Sequence, residues 1–242
     1  MPHFFINSKD IEDNFISICD KELLSHLVLS LRVKSGEKVK FIDENEIQYL
    51  TFVCEVSKNN LRAEIIEKFK SKRKLNYSLN LIQAVLKPDA QTLAISAATQ
   101  CGVDKIFPVI SDNYALSKKS LSEDKIQKWQ KIANEAAKQC ERANFATVEN
   151  FVEFDEILPK FDKKNILIYA EKYSNIELDC ALNDVDKNLP IAVVVGPEGG
   201  FSEREFQYFI ENNYKMISLG ELIFKAPNAI CAGVSNIVTR LK

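Results

Sequence analysis

The sequence lacks several features that would each point to a definite class of protein. Its first residues, MPHFFINSKDIEDNF, have no basic start followed by an apolar run and a small-residue cleavage site, and no apolar run approaches membrane-spanning length. The expectation is a globular protein that stays in the cytoplasm, away from membranes. Histidine is scarce: His3 and His26 are the only two, and neither has a second histidine or a cysteine at ligand spacing, which argues against a metal site. Cys19, Cys54, Cys101, Cys140, Cys180 and Cys231 include no Cys-x-x-Cys pair and fall mostly in apolar patterns, so they read as reduced core thiols rather than a disulfide framework. There is no Gly-x-x-x-x-Gly-Lys-Ser/Thr and no Gly-x-Gly-x-x-Gly. With no nucleophile beside a histidine either, a nucleotide-dependent hydrolase or oxidoreductase has little to stand on. Internal repeats and low-complexity segments are absent as well.

What is present is ample material for a core. The 242 residues are 46% hydrophobic, enough for one large domain or a small one plus a medium one. A net charge of -2 exerts no global pull on nucleic acid, but the basic side chains are uneven. Lys68, Lys70, Lys72, Arg73 and Lys74 crowd one stretch, and Lys118, Lys119, Lys125, Lys128, Lys131, Lys138 and Arg142 recur in another. Such runs are either solvated faces or local phosphate contacts on an RNA.

The most informative stretch is IAVVVGPEGGFSEREF, Ile191 to Phe206. Ile191 to Val195 is a short, β-branched apolar run of the kind covered on both faces in a parallel sheet. Gly196-Pro197 ends it, and Gly199-Gly200 offers positive φ and no Cβ to hold a ligand away from the amides. Ser202 stands three residues before Glu205, the capping-box spacing, so a helix is expected from Glu203. In an open α/β sheet, the carboxyl end of a strand feeding such a turn is where small ligands bind.

Around that stretch the chain divides in two. From Phe4 to Ile66 the apolar runs HFFI, KVKFID, IQYLTFVCEV and LRAEII read as strands and LLSHLVLSLR as a helix, which predicts a small β-barrel-like domain. EKFKSKRKLN reads as the boundary, giving domains 1–70 and 71–242. Beyond it, strands SLNLIQAV, VDKIFPVI, NILIYA and MISLG alternate with helices, the signature of a parallel sheet. Pro88 opens a helix expected to bury Leu93, Ala94, Ala97, Ala98 and Cys101. Ser122 caps a helix with the stripe Ile126, Trp129, Ile132, Ala133, Ala136, Ala137 and Cys140. Asn150 and Glu153 repeat the cap spacing, and Glu171 lies just past a strand end. Asn212-Asn213 stops the helix after the glycine turn, ELIFKAPN reads as loop, and Asn228 is expected to cap the terminal helix. Gly233 inside that helix costs about 1 kcal/mol relative to alanine, which implies close packing against another backbone.

VVVGPEGGFSEREF followed by ISLGELIFKAPNAICAGV resembles the carboxyl-terminal motifs of the bacterial 16S ribosomal RNA uridine-N3 methyltransferases of the SPOUT superfamily. HLVLSLRVKSGEKVKFID is similar to that family's amino-terminal pattern, and KWQKIANEAAKQCER to its middle helix. The resemblance implies a PUA-like β-barrel domain and an α/β domain with a carboxyl-terminal trefoil knot. It also implies S-adenosylmethionine as cofactor, a homodimer, and methylation of N3 of a uridine near the decoding region of the small ribosomal subunit. Matched position by position, the cofactor would rest on Gly196, Glu198, Gly199 and Gly200, on Leu219 and Gly220, and under Leu222, Ile223, Phe224 and Ala229. Glu198 is the nearest acid for the imide proton, with a turn-stabilising role as its rival, and Arg142 is the residue expected to grip RNA. Arg32, Arg73 and Lys225 are further RNA-contact candidates.

The sequence also departs from the family's usual last loop, Leu-Gly-x-Arg-x-Leu-Arg-x-Glu-Thr-Ala. Leu222, Lys225, Pro227 and Asn228 stand where arginine, arginine, glutamate and threonine are usual. Asn113 stands where arginine is usual, and Ala97 and Gln100 where lysine and glutamate are common. Lys225 keeps a charge without arginine's bidentate fork. These changes bear on substrate handling more than on a pocket built from main chain. A non-catalytic relative that binds RNA or cofactor remains the alternative.

Overall fold

A computed structural model describes residues 3–114 and 121–241 of the chain, so the expectations on Lys118 and Lys119 lie outside the described residues. The chain folds into two compact units, one with residues up to Lys74 plus Lys138–Asn144, the other with Leu75–Ala137 and the chain from Phe145 onward.

The first unit is built on β1 (His3–Phe5), β2 (Ile11–Glu12), β3 (Phe15–Ile18), β4 (Lys38–Ile42), β5 (Ile47–Val56) and β6 (Leu61–Lys70). They form one sheet in the order β1-β4-β5-β6-β3-β2, parallel only between β1 and β4. Register shifts in β5 at Leu50/Thr51 and Val53/Glu55 let its long hairpin with β6 bend, and Ile16, Ile18, Leu27, Phe41, Val53 and Leu61 fill the core. The short helix α1 (Lys21–Ser25) starts where Asp20 accepts from the Leu23 amide at 2.9 Å, and a π turn over His26–Ser30 continues it. His3 is fully buried, and that burial pushes its imidazole pKa down.

Sequence pattern missed two things here. The strands β2 and β3 were not anticipated, because the acidic residues around Phe15 interrupt any apolar run. The charged run from Glu67, read as linker, is strand to Lys70, since its backbone pairs with Ile47 to Leu50 even though its side chains are exposed. Backbone ladder bonds need no apolar periodicity.

The second unit alternates strictly: β7 (Leu79–Ala84), α2 (Pro88–Gln100), β8 (Lys105–Val109), α3 (Glu123–Gln139), β9 (Thr147–Val148), α4 (Phe154–Ile157), β10 (Ile166–Tyr169), α5 (Leu178–Asn183), β11 (Ile191–Val195), α6 (Glu203–Glu211), β12 (Lys215–Ile217) and α7 (Ala226–Arg240). All six strands are parallel, in the order β12-β10-β11-β7-β8-β9. β10 and β11 are buried at every residue, as expected for strands with an apolar layer on each side. On one face Leu79, Leu81, Leu167 and Val193 pack with Ile95, Trp129, Ile230 and Val234. On the other, Ile82, Ile168 and Val194 pack with Phe154 and Phe209.

Gly233 explains itself. A Cβ there would stand 2.4 Å from the Tyr169 ring, whose hydroxyl donates to the Gly233 carbonyl at 3.0 Å. Burial holds the Tyr169 phenol above its ordinary pKa, so it stays a donor.

Four local expectations are corrected. Leu93 is 62% exposed, while Gln91, Ile95 and Thr99 share the buried face of α2 with Ala94 and Ala98. Buried Gln91 is held by Gln83 at 3.1 Å and by the Leu86 amide at 2.9 Å, a polar pairing that apolar spacing does not reveal. Helix α4 is capped by Glu153, whose amide donates to Glu156 at 3.3 Å, instead of by Asn150. Helix α7 begins at Ala226 behind Lys225, with Pro227 inside its first turn, so Asn228 is a helical residue and no cap. The six cysteines are free thiols, but none is a core residue: Cys19, Cys54, Cys180 and Cys231 are exposed and Cys101 and Cys140 half-buried.

Candidate functional site

The strand ends of the second unit decide where chemistry can happen. The segments following β7 (Lys87–Ala90), β10 (through Tyr173) and β11 (through Phe201) leave the same end of the parallel sheet. With the start of α7 they enclose a cavity of about 1120 Å³. Carboxyl ends of parallel strands gather exposed amides and carbonyls, which is why ligands collect there.

The glycine turn forms one wall. Beyond Val195, a Cβ on Gly196 would lie 3.1 Å from the Phe201 ring, and Gly200 has φ +75°. The Gly200 amide donates to the Pro197 carbonyl at 2.9 Å, closing the turn. Ser202 then caps α6: its Oγ accepts from the Glu205 amide at 3.1 Å while Glu205 Oε2 accepts from the Ser202 amide at 2.8 Å.

Distant segments hold this turn in place. The Lys87 amide donates to Glu198 Oε1 at 3.1 Å, tying the entry of α2 to the turn. The loop after β8 contributes more. Asn113 Nδ2 donates to the Gly200 carbonyl at 3.1 Å, and the Asp112 amide donates to buried Glu205 at 3.0 Å. The Asp112 carboxylate receives the Arg204 guanidinium at 2.7 and 3.0 Å and the Ser202 hydroxyl at 2.5 Å. Arg204, with Ser202 behind it, holds the Asp112 carboxyl below the usual range, and Asp112 in turn raises the Arg204 pKa.

The loop that leads into the opposite wall is looser. Gly220, with φ +118°, is fastened through Ser218, whose Oγ accepts from the Gly220 amide at 3.0 Å and donates to its carbonyl at 2.8 Å. Leu222 and Ile223 are 77% and 75% exposed and Phe224 39%.

Of the residues singled out in the sequence, Gly196, Glu198, Gly199, Gly200, Ile223, Phe224, Lys225 and Ala229 line this cavity, whereas Leu219, Gly220 and Leu222 do not. Arg32, Arg73 and Arg142 belong to the first unit. Arg32 is exposed with φ 55°; Arg73 is exposed and paired with Glu141 at 2.9 Å. Arg142 is 6% exposed and donates to Asn144 Oδ1 at 3.0 and 3.3 Å, so its guanidinium is turned into its own unit. Sequence reasoning named Glu171 as lying past a strand end but missed Lys87, Asp89, Leu93, Tyr173 and Phe206 on the cavity wall. Applying the strand-end rule to every strand, and not to β11 alone, finds the first, second and fourth of these; Leu93 and Phe206 face the cavity only once their helices have packed.

The residues fit a compact organic ligand with a flat ring. Main-chain donors and acceptors at the glycine turn can read a base edge, Gly200 has open space where a Cβ would stand, and Ile223, Phe224 and Ala229 give apolar cover. Among the described residues no group of histidine, cysteine or acidic side chains is arranged to hold a metal, and no helix is long and apolar enough to cross a membrane.

Comparison with known proteins agrees in kind. The sequence profile of the RNA methyltransferase domain matches residues 73–238. The Rickettsia conorii protein named ribosomal RNA small subunit methyltransferase E is 28% identical over 239 residues, covering 96% of this chain and 93% of that one. The Mesomycoplasma hyopneumoniae protein of the same name is 27% identical, covering 95% of each. A crystal structure of the Neisseria gonorrhoeae ribosomal RNA small subunit methyltransferase E bound to S-adenosyl methionine superposes with a TM-score of 0.84 at 23% identity, over 99% of this chain and 97% of that one.

Proposed function

The chain belongs to the RNA methyltransferase domain family, and from that premise we propose that it methylates N3 of a uridine in the 16S rRNA of the small ribosomal subunit, with S-adenosylmethionine as donor. The observation that carries this reading is the glycine turn, Gly196 to Gly200, pinned open at the strand ends over a cavity lined by main chain and apolar side chains. When bound there, S-adenosylmethionine supplies an electrophilic methyl group on sulfur, so that transfer to N3 replaces its proton and leaves S-adenosylhomocysteine.

The chain's own residues have three tasks. Gly199 and Gly200 present the main chain of the turn to the donor, with open space at Gly200 where a Cβ would stand. In the same reading Ile223, Phe224 and Ala229 are apolar cover, while Leu219, Gly220 and Leu222, outside the cavity lining, carry the loop that leads into it. Glu198 stands at the cavity with one oxygen on the Lys87 amide, which fixes the carboxylate and leaves the other oxygen to take the imide proton. Most of the acceleration comes from alignment of nitrogen, methyl and sulfur rather than from a strong base.

In the same reading the first domain, residues 1–70, is a PUA-like RNA anchor. Residues 71–242 form a SPOUT domain with a carboxyl-terminal trefoil knot, and the chain works as a cytoplasmic homodimer. Arg32, Arg73 and Lys225 contact RNA through phosphates, while Arg142 shapes its segment from within.

Mass mapping of small-subunit RNA from cells with and without the gene tests the reaction: one methyluridine disappears in the deletion and returns with the wild-type gene. Small subunits with identical modification in both strains refute it. Calorimetry with S-adenosylmethionine tests the site: Gly199→Val abolishes a binding signal that the wild type gives.

A further inference from the structure

Two of the aromatic residues on the cavity wall have no part in the roles given so far. Tyr173 ends the single helical turn Glu171–Tyr173 that follows β10, and it is 36% exposed. Its ring lies 3.9 Å from that of Phe206, tilted by 41°, and both line the cavity. Phe206 is braced edge-on by Phe201 at 5.6 Å, which packs in turn on Phe209, a fully buried core residue. The Tyr173 hydroxyl reaches Glu203 Oε1 at 3.4 Å and its amide donates to Ala170 at 3.0 Å. Tyr173 is therefore a flat, half-exposed surface backed by a stiff aromatic stack, at the same strand ends as the glycine turn.

Ammonium groups stand near it, on a wall that carries three lysines and four carboxylates. Lys87, Lys172 and Lys225 line the same cavity, and none of the three pairs with a carboxylate among the described residues. Of the acids there, Glu198 accepts from the Lys87 amide and Glu203 from the Tyr173 hydroxyl, bonds that orient both carboxylates and leave their charge in place beside Asp89 and Glu171. Uncommitted ammonium groups beside an exposed aromatic face are the combination that holds single-stranded nucleic acid: stacking for the base, point charges for the phosphates.

We propose that Tyr173, backed by Phe206, is the platform on which the target pyrimidine stacks when it is turned out of the RNA, with Lys172 and Lys225 taking its flanking phosphates. The inference rests on the methyl-transfer reading and names the substrate subsite of that same cavity. Stacking tolerates any base, so Tyr173 supplies affinity and orientation while polar atoms of the turn select uracil.

Two measurements with the full-length chain test it. In Tyr173→Ala the KM for small subunits and the Kd for a short uridine-centred oligoribonucleotide both rise roughly ten- to hundred-fold, the range of one lost base stack, and Tyr173→Phe recovers most of that loss. The Kd for S-adenosylmethionine, read by calorimetry, is the same in both variants as in the wild type. The proposal is overturned if Tyr173→Ala binds the oligoribonucleotide like the wild type. It is equally overturned if donor affinity falls as far as RNA affinity, since the ring then serves the donor's adenine. A wild type that transfers no methyl but binds the oligoribonucleotide through Tyr173 sinks the methyl-transfer reading and leaves the platform standing. Full methylation by Tyr173→Ala sinks the platform alone.

Discussion

The two walls of the cavity are built on different principles. The wall after β11 is short, glycine-rich and fastened from outside: Lys87, Asp112 and Asn113 reach it from two other strand ends, and α6 is locked to it by a reciprocal cap. The wall before α7 is apolar and exposed, held chiefly by Ser218 on Gly220 and by the first turn of α7, whose Ala229 amide donates to the Lys225 carbonyl at 2.9 Å. A wall made of anchored main chain depends on its neighbours' geometry. A wall made of exposed side chains depends on composition, and can exchange residues at small cost. The substitutions at Lys225, Pro227 and Asn228 fall on the second kind of wall and Leu222 lies beside it, and Pro227 suits that wall because a proline in the first turn of a helix forfeits no hydrogen bond.

The contrast can be broken most severely at the anchored wall. Gly196→Val places a branched side chain where even a Cβ would stand 3.1 Å from Phe201, and binding of S-adenosylmethionine drops by up to about a hundredfold in calorimetry, the cost of overpacking a close-fitting site. An equal donor affinity in that variant would mean that the turn is not the pocket.

A second, smaller break acts on the support of α7. Gly233→Ala drives a methyl group into the Tyr169 ring, and thermal unfolding shows a loss of about 1–3 kcal/mol of stability. Tyr169→Phe at the same site removes only the hydrogen bond to the Gly233 carbonyl and loses about 1 kcal/mol.

The Asp112 latch comes next. Asp112 and Arg204 are partly solvated, with side chains 35% and 70% exposed, so solvent screening keeps the pair's own contribution to about 1 kcal/mol at most. Asp112→Asn therefore weakens donor binding only a few-fold at neutral pH, roughly what that energy allows. The pH dependence has a fixed sign. Because the folded-state pKa of Asp112 is depressed, its contribution is present above the unfolded value near 3.8 and is lost as pH falls through the folded one. The stability difference between wild type and Asp112→Asn, followed by urea unfolding, is constant at neutral pH and closes in strong acid. A gap that widens in acid contradicts the assignment.

The smallest effect is expected on the loose wall. Leu222→Ser changes a side chain that is 77% exposed and outside the cavity lining, so stability and donor affinity stay within about 0.5 kcal/mol of the wild type. A tenfold loss there would show that the last loop folds over the donor and that the two walls are not as different as they look.

The parts of this site that sequence made legible are those whose causes are local. Five β-branched and small apolar residues, two glycines and a Ser-x-x-Glu box are enough to predict β11, the turn and the start of α6, and all three are found where expected. Because glycine is costly in a helix, Gly233 implies close packing against another backbone; the close neighbour is there, but it is a side chain, the Tyr169 ring. The failures share a different cause. Leu93 reads as core because it is leucine at helical spacing, but the core face of α2 carries buried Gln91, paired with Gln83, and Leu93 stands on the cavity wall, 62% exposed. The cysteines read as core residues because they fall mostly in apolar patterns, but exposure depends on which face each helix or strand presents after packing.

By itself, then, the sequence determined the longer strands and helices of the second unit, the turn that opens the cavity and the cap that follows it, because those rest on contacts within three or four residues. Tertiary structure alone decided what surrounds that turn. The Lys87 amide is 111 residues from Glu198 and Asp112 is 92 from Arg204, and Tyr173 meets Phe206 only because β10 and β11 are neighbours in the sheet. No spacing rule spans such separations; they are set when six strands settle into one parallel order and bring their carboxyl ends to the same side.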